Sequence, residues 1–308
     1  MLHSRLSISG IVCLLSKRLW NVSMDKLRLG FADTFDGAKE YFTHLLSKRF
    51  EIVRDDVRPD YLIFGDRNFG ESNLRYQNCV RIFYTGENQR PSDYRCDFAI
   101  SFDHPTSSSM FRLPLYLIYE YDHKIWQNRQ ARHEDDFDTK KFCSFVVKNP
   151  GCKYRNDYFN ILSSVYKQVD SAGPLFNNMD GGWRPQSVVE KVKFMGNYRF
   201  NLCFENSSYP GYCTEKLFEA LCAKTIPIYW GSPTASLDFN PKAFLNRYDY
   251  ASDQEFIEKI VQLDNNKNAY NYMYMQPMFR DDEFIRNFNP DNFLDWFQQN
   301  VYQGVINK

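Results

Sequence analysis

Between Phe200 and Pro233 the chain alternates sharply. An apolar run, Phe-Asn-Leu-Cys-Phe, gives way to a polar stretch broken by Pro210-Gly211. A segment with helical apolar spacing follows, then Thr-Ile-Pro-Ile-Tyr-Trp, closed by Gly231-Ser232-Pro233. The spacing predicts strands over 200–204 and 225–229 with a helix over 214–223 between them. Two short buried strands joined by a helix-length crossover read as a βαβ unit with the strands parallel, since parallel strands need such a connection. This unit commits the chain to an α/β architecture.

The same alternation runs through the rest of the sequence. Strands are expected over 27–31, 61–64, 80–84, 98–102 and 113–119, with a helix over 37–48 carrying Ala38, Tyr41, Leu45 and Leu46 on its apolar face. Beyond them, a strand is expected over 142–147. A helix over 156–168 would bury Tyr158, Ile161, Leu162 and Val165. Another helix is marked by Phe256, Ile257, Ile260 and Val261, and a terminal one covers 293–301. The pattern reads as two Rossmann-like domains facing across a cleft. The expected division is a poorly ordered leader over 1–23, a first domain over 24–135, a second over 136–280, and a C-terminal helical segment over 281–308. No GxGxxG follows any strand, so the dinucleotide fingerprint is missing.

Composition narrows the partners. Lys and Arg together number 38, as do Asp and Glu, so no broad positive field exists to hold nucleic acid. The eight cysteines show no CxxC spacing, and several sit in apolar runs, which reads as buried free thiols in a reducing, cytoplasmic compartment. No run reaches the ~20 apolar residues that a spanning helix requires. The short apolar stretch from Ile8 to Leu15, followed by Lys17-Arg18, offers at most a weak anchor for peripheral membrane contact. Residues 122–141 turn polar and read as a linker. Within it Asp136-x-Asp138 has the form of a metal-binding DxD, but no apolar strand leads into it, and a solvated acidic run is the simpler reading.

In open α/β sheets ligands bind beyond the carboxyl ends of strands. Three such places carry chemistry. Tyr84-Thr85-Gly86-Glu87-Asn88 follows an apolar strand and projects Glu87 from its end, where a carboxylate among aromatics suits general-base work. Arg155 stands just before a helix that Asn156 or Asp157 would cap, a position suited to phosphate. At the third place, Thr214 caps the helix whose first turn holds Glu215 and Lys216. Glu215 suits the helix dipole and Lys216 does not, unless an anion sits beside it.

The run FENSSYPGYCTEKLFEA followed by TIPIYWGSP resembles the donor-binding signature of the α-1,3/4-fucosyltransferase family. FYTGEN at 83–88, FRLPLY at 111–116, FVVKNP at 145–150 and DFNPKAF at 238–244 extend the resemblance in order. It implies a GT-B fold with the acceptor mainly on the first domain and GDP-fucose mainly on the second. It further implies inverting transfer of L-fucose to the 3-hydroxyl of GlcNAc in a β-galactosyl-GlcNAc acceptor, giving Lewis x-type products on lipopolysaccharide or a similar glycan. The family's base falls on Glu87, and its donor contacts fall on Arg155, Asn206, Tyr212, Glu215 and Lys216. No obligatory metal is implied, and a divalent cation would at most stimulate. Linkage choice is expected in loops around 33–35 and 103–110. Heptad repeats and a long basic tail, used by some bacterial members for dimerisation and membrane docking, are not found in this sequence. A transferase using another nucleotide sugar, or a glycan-binding protein without turnover, are the competing readings.

Overall fold

A computed structural model describes residues 24–129, 131–134, 136–279 and 289–303; the expected leader lies outside them. Two parallel sheets organise the chain. The first contains β1 (Lys26–Ala32), β2 (Glu51–Arg54), β3 (Tyr61–Phe64), β4 (Val80–Tyr84), β5 (Phe98–Ser101) and β6 (Met110–Arg112), in the order β2-β1-β3-β4-β5-β6. The second contains β7 (Lys141–Phe145), β8 (Asp170–Ser171), β9 (Tyr198–Leu202), β10 (Ile226–Tyr229) and β11 (Leu245–Asn246), in the order β11-β10-β9-β7-β8. Every described strand pair is parallel, in keeping with the expected α/β alternation.

Each sheet has a strand from which the chain winds outward in both directions. In the second it is β7, so the switch point lies between the carboxyl ends of β7 and β9, where a crevice is expected. The first switch point, between β1 and β3, is filled from within. Asp33 adopts a left-handed φ of 49° and accepts hydrogen bonds from the backbone and side chains of Ser72 and Asn73.

The strand expected over 113–119 is instead helix α2 (Leu115–His123), with Pro114 at its N-cap position. An unbroken apolar run does not reveal its period. Here Tyr116, Ile118 and Glu120 face inward while Leu115, Tyr119 and His123, four residues apart, share another face. The sixth strand is the short β6 just before it. Helix α4 (Lys153–Val165) begins three residues earlier than its spacing suggested and buries Arg155, Tyr158, Phe159 and Leu162. Ile161 and Val165, expected inside, are 40% and 61% exposed.

The stretch read as a linker is tied down. Arg132 donates to the carbonyls of Leu221, Tyr274 and Gln276. Asp136 accepts from the Tyr274 hydroxyl, and Asp138 pairs with Lys267. Across the two halves, Arg112 makes a two-pronged bond to Asp238 at 2.9 and 2.8 Å. Helix α9 (Pro290–Trp296) and the wide turn Phe297–Tyr302 return to the first sheet, where Phe293, Leu294, Phe297 and Val301 complete the core around Leu27, Phe42, Phe50 and Tyr61.

Candidate active site

A cleft of about 970 Å³ opens at the second switch point. One wall carries Val146 to Asn149 from the end of β7, Asn206 beyond β9, and Thr214, Glu215, Lys216 and Glu219 from the start of α6 (Glu215–Cys222). Arg184 to Lys191, ending in helix α5 (Val188–Met195), form its rim. The facing wall comes from the first sheet: Glu87 after β4, and Leu115, Tyr119 and His123 on one face of α2. The carboxylate and the helix turn singled out from sequence therefore share one cavity.

The α6 turn rests on a residue that sequence reasoning passed over. Glu205 is 0% exposed and accepts from the Thr214 backbone at 2.8 Å and from its hydroxyl at 2.5 Å, and Lys216 Nζ lies 3.2 Å away. Thr214 stands at the N-cap position, but its hydroxyl serves Glu205 rather than the helix, contrary to the capping role expected of it. Gly231 makes room: a Cβ there would lie 2.3 Å from Glu205 Cγ. The apolar run leading into Glu205, with a Gly directly after the neighbouring strand, was the available signal.

Lys216 is 14% exposed at its side chain and also bonds Thr214 Oγ1 at 2.9 Å and Glu215 Oε1 at 3.1 Å. Burial opposes its charge, but Glu205 and Glu215 outweigh burial and hold the ammonium well above its ordinary pKa. Burial likewise opposes the Glu215 charge, yet Lys216 and Lys191 bring it down to about 2. Desolvation raises Glu205. The Glu215 carboxylate, reinforced by burial, pushes up the Tyr119 phenol on the opposite wall. The result is a fixed cation beside a helix start, an arrangement that suits a phosphate.

Arg155 lies within the first turn of α4, not ahead of it, and is 0% exposed. It donates to the Asn149 carbonyl at 2.6 Å, to the Phe204 carbonyl at 3.4 Å, and to Asn206 Oδ1 at 2.7 Å. It does not line the cleft; it holds two residues that do. Tyr212 is also set back, 1% exposed, with its ring 5.0 Å from Phe102 and its hydroxyl donating to Glu87 Oε2 at 3.1 Å. Glu87 itself is fixed at its backbone by the Thr85 hydroxyl, 3.0 Å away. Among the described residues no three His, Cys, Asp or Glu side chains are placed to hold a metal ion, and no helix is long and apolar enough to cross a membrane. Five of the seven described cysteines are buried.

Two family models match the chain, the α-(1,3)-fucosyltransferase FucT N-terminal domain over residues 28–119 and the glycosyltransferase family 10 (fucosyltransferase) C-terminal region over 137–283. The chain belongs to the α-1,3-fucosyltransferase family. An α-(1,3)-fucosyltransferase of Helicobacter pylori is 33% identical over 305 residues, covering 87% of this chain and 60% of that protein. One from Drosophila melanogaster is 33% identical over 129 residues, 38% of this chain and 28% of that protein. The chain thus spans about three fifths of the bacterial relative's length. Crystal structures of an α1,3-fucosyltransferase with GDP and with GDP-fucose superpose with TM-scores of 0.73 at 29% identity; they cover 90% and 92% of this chain and 91% and 92% of theirs. The fold is GT-B.

Proposed function

We propose that this protein transfers L-fucose from GDP-β-L-fucose, with inversion, to the 3-hydroxyl of GlcNAc in a β-galactosyl-GlcNAc acceptor. The observation that carries the reading is that Glu87 and the Thr214–Lys216 turn face the same cleft from opposite walls. Glu87 takes the proton of the acceptor hydroxyl as its oxygen bonds to fucose C1. The bond from C1 to the diphosphate oxygen breaks, and GDP leaves from the opposite face, which turns the β-linked donor into an α-linked product. Lys216 and the first N–H groups of α6 stabilise the charge that gathers on GDP. Glu215 accepts from donor hydroxyls, while Asn206, held by Arg155, orients the nucleotide sugar.

With this stabilisation supplied by the chain, turnover is expected to persist in excess chelator, with divalent ions stimulating at most. A Lewis x-type product on lipopolysaccharide or a similar glycan belongs to the same reading. So does a cytoplasmic seat peripheral to the inner membrane face, where such glycans are within reach.

The test offers GDP-fucose, GDP-mannose and UDP-galactose with N-acetyllactosamine and resolves any product by NMR. An α-1,3-fucosylated product from GDP-fucose alone is expected. Transfer from another donor overturns the sugar assignment. No transfer, together with no rise in thermal stability on adding GDP, overturns the enzymatic reading.

A further inference from the structure

The segment that follows β9 reaches across to the first sheet at three places in close succession. Ser207 Oγ accepts from Asn88 Nδ2 at 2.8 Å. Tyr209 lies under the Arg90 guanidinium at 4.0 Å, which also covers Phe102 at 4.4 Å. Tyr212 packs on Phe102 and reaches Glu87. Backbone geometry fixes this approach. Gly211 has a φ of 83°, and a Cβ on it would lie 2.8 Å from the Phe102 carbonyl. Its N–H is held by the hydroxyls of Ser232 and Thr234 at 2.9 and 2.8 Å. Tyr212 thus arrives as a buried hydroxyl with a restricted direction, and its side-chain hydrogen bond goes to the acceptor-side carboxylate rather than into the cleft.

We propose that Tyr212 is a positioning residue for Glu87: its hydroxyl, carried by the donor-binding half, orients the carboxylate that takes the acceptor proton. This rests on the base role of Glu87 proposed above. The phenol keeps its own proton, since burial and the nearby carboxylates disfavour its ionisation. It therefore donates to one carboxylate oxygen and leaves the other to receive from the acceptor. Because the same loop carries Asn206 at one end and leads into Thr214 at the other, the base is aligned only when the donor-side loop is in place. The Tyr212–Glu87 hydrogen bond thus couples the two substrates' sites at the reacting carboxylate.

The experiment is steady-state kinetics and GDP calorimetry on the full chain carrying Tyr212→Phe, which removes one oxygen and keeps the ring on Phe102. The expected result is a fall in kcat of about tenfold, with GDP affinity and the KM for GDP-fucose within about twofold of wild type. In the Glu87→Gln background the same change is expected to cost less than about twofold, because both act on one step. Unchanged kcat, or lost GDP affinity with kcat kept, overturns the proposal, and the second outcome returns Tyr212 to the donor. Glu87→Gln alone separates the two claims. If it turns over normally, the base reading fails; if it is inactive while Tyr212→Phe is normal, only the positioning role fails. Should Tyr212→Phe not melt cooperatively, Glu87→Asp draws the carboxylate back by one methylene. Its kcat is then expected to fall with GDP affinity intact, and an unaltered kcat overturns the link.

Discussion

The wall built by the second sheet holds its charge in depth: Lys216 is braced by Glu205 and Glu215, and Lys191 is paired with Glu219 behind them. The wall built by the first offers Glu87 as its carboxylate, beside Leu115, Tyr119 and His123. A diphosphate is recognised best by cations that do not move when it arrives, and the second wall's network fixes them at the cost of burying carboxylates. The base proposed at Glu87 must instead reach a hydroxyl from solution; it stands at a strand end with its backbone clamped by Thr85 and one oxygen held from across the gap. On the proposed reading, affinity and chemistry fall to different walls, and substitutions on each should separate them.

The largest effect is expected from Glu87→Gln. Transfer should drop by about 10²-fold or more while GDP binding, measured by calorimetry, stays within error of wild type. Near-normal turnover would remove the division between the walls. Lys216→Ala should act the other way, weakening GDP-fucose binding by at least about tenfold and leaving Glu205 buried beside a missing partner; an unchanged donor Kd would undo the phosphate assignment. Glu205→Gln keeps the bonds to Thr214 in outline but lifts one restraint on Lys216. A smaller loss of GDP affinity, severalfold, is expected with a lowered Tm, and a variant indistinguishable in both would show that the brace is dispensable.

The smallest effect concerns acid. Glu215 sits at about 2 against an ordinary 4.5, so its ionised form favours the folded protein at neutral pH. That contribution is present above 4.5 and fades as pH falls from there towards 2. In denaturant titrations, the stability gap between wild type and Glu215→Gln should narrow across that window. A gap independent of pH would mean that Glu215 is not the titrating group.

Much of this was legible beforehand because strand ends announce themselves. Glu87 and Lys216 each follow an apolar run or open a helix, and a local pattern suffices to place them. What escaped depends on distance in three dimensions. Glu205 looked like the tail of a strand, and only the Thr214 N–H and the empty side of Gly231 reveal its work. Tyr212 read as a donor contact, and nothing local shows its hydroxyl reaching residue 87. Arg155 moved from loop to buried helix because Lys153 and Tyr154, which look like loop residues, already belong to α4. The run over 115–119 misled for a different reason: five apolar residues fit a strand or a buried helix equally well, and Pro114 could have started either.

Phe293, Phe297 and Val301 sit against Phe42, Phe50 and Tyr61, across more than 230 positions of chain. The first sheet is laid down early in synthesis, yet its hydrophobic face closes only when the last described turn arrives. Domains usually settle as they emerge from the ribosome. Here the core of the earlier half is complete only once residues 293–301 have been made, after the last core residues of the later half, so the order of translation and the order of completion run in opposite directions.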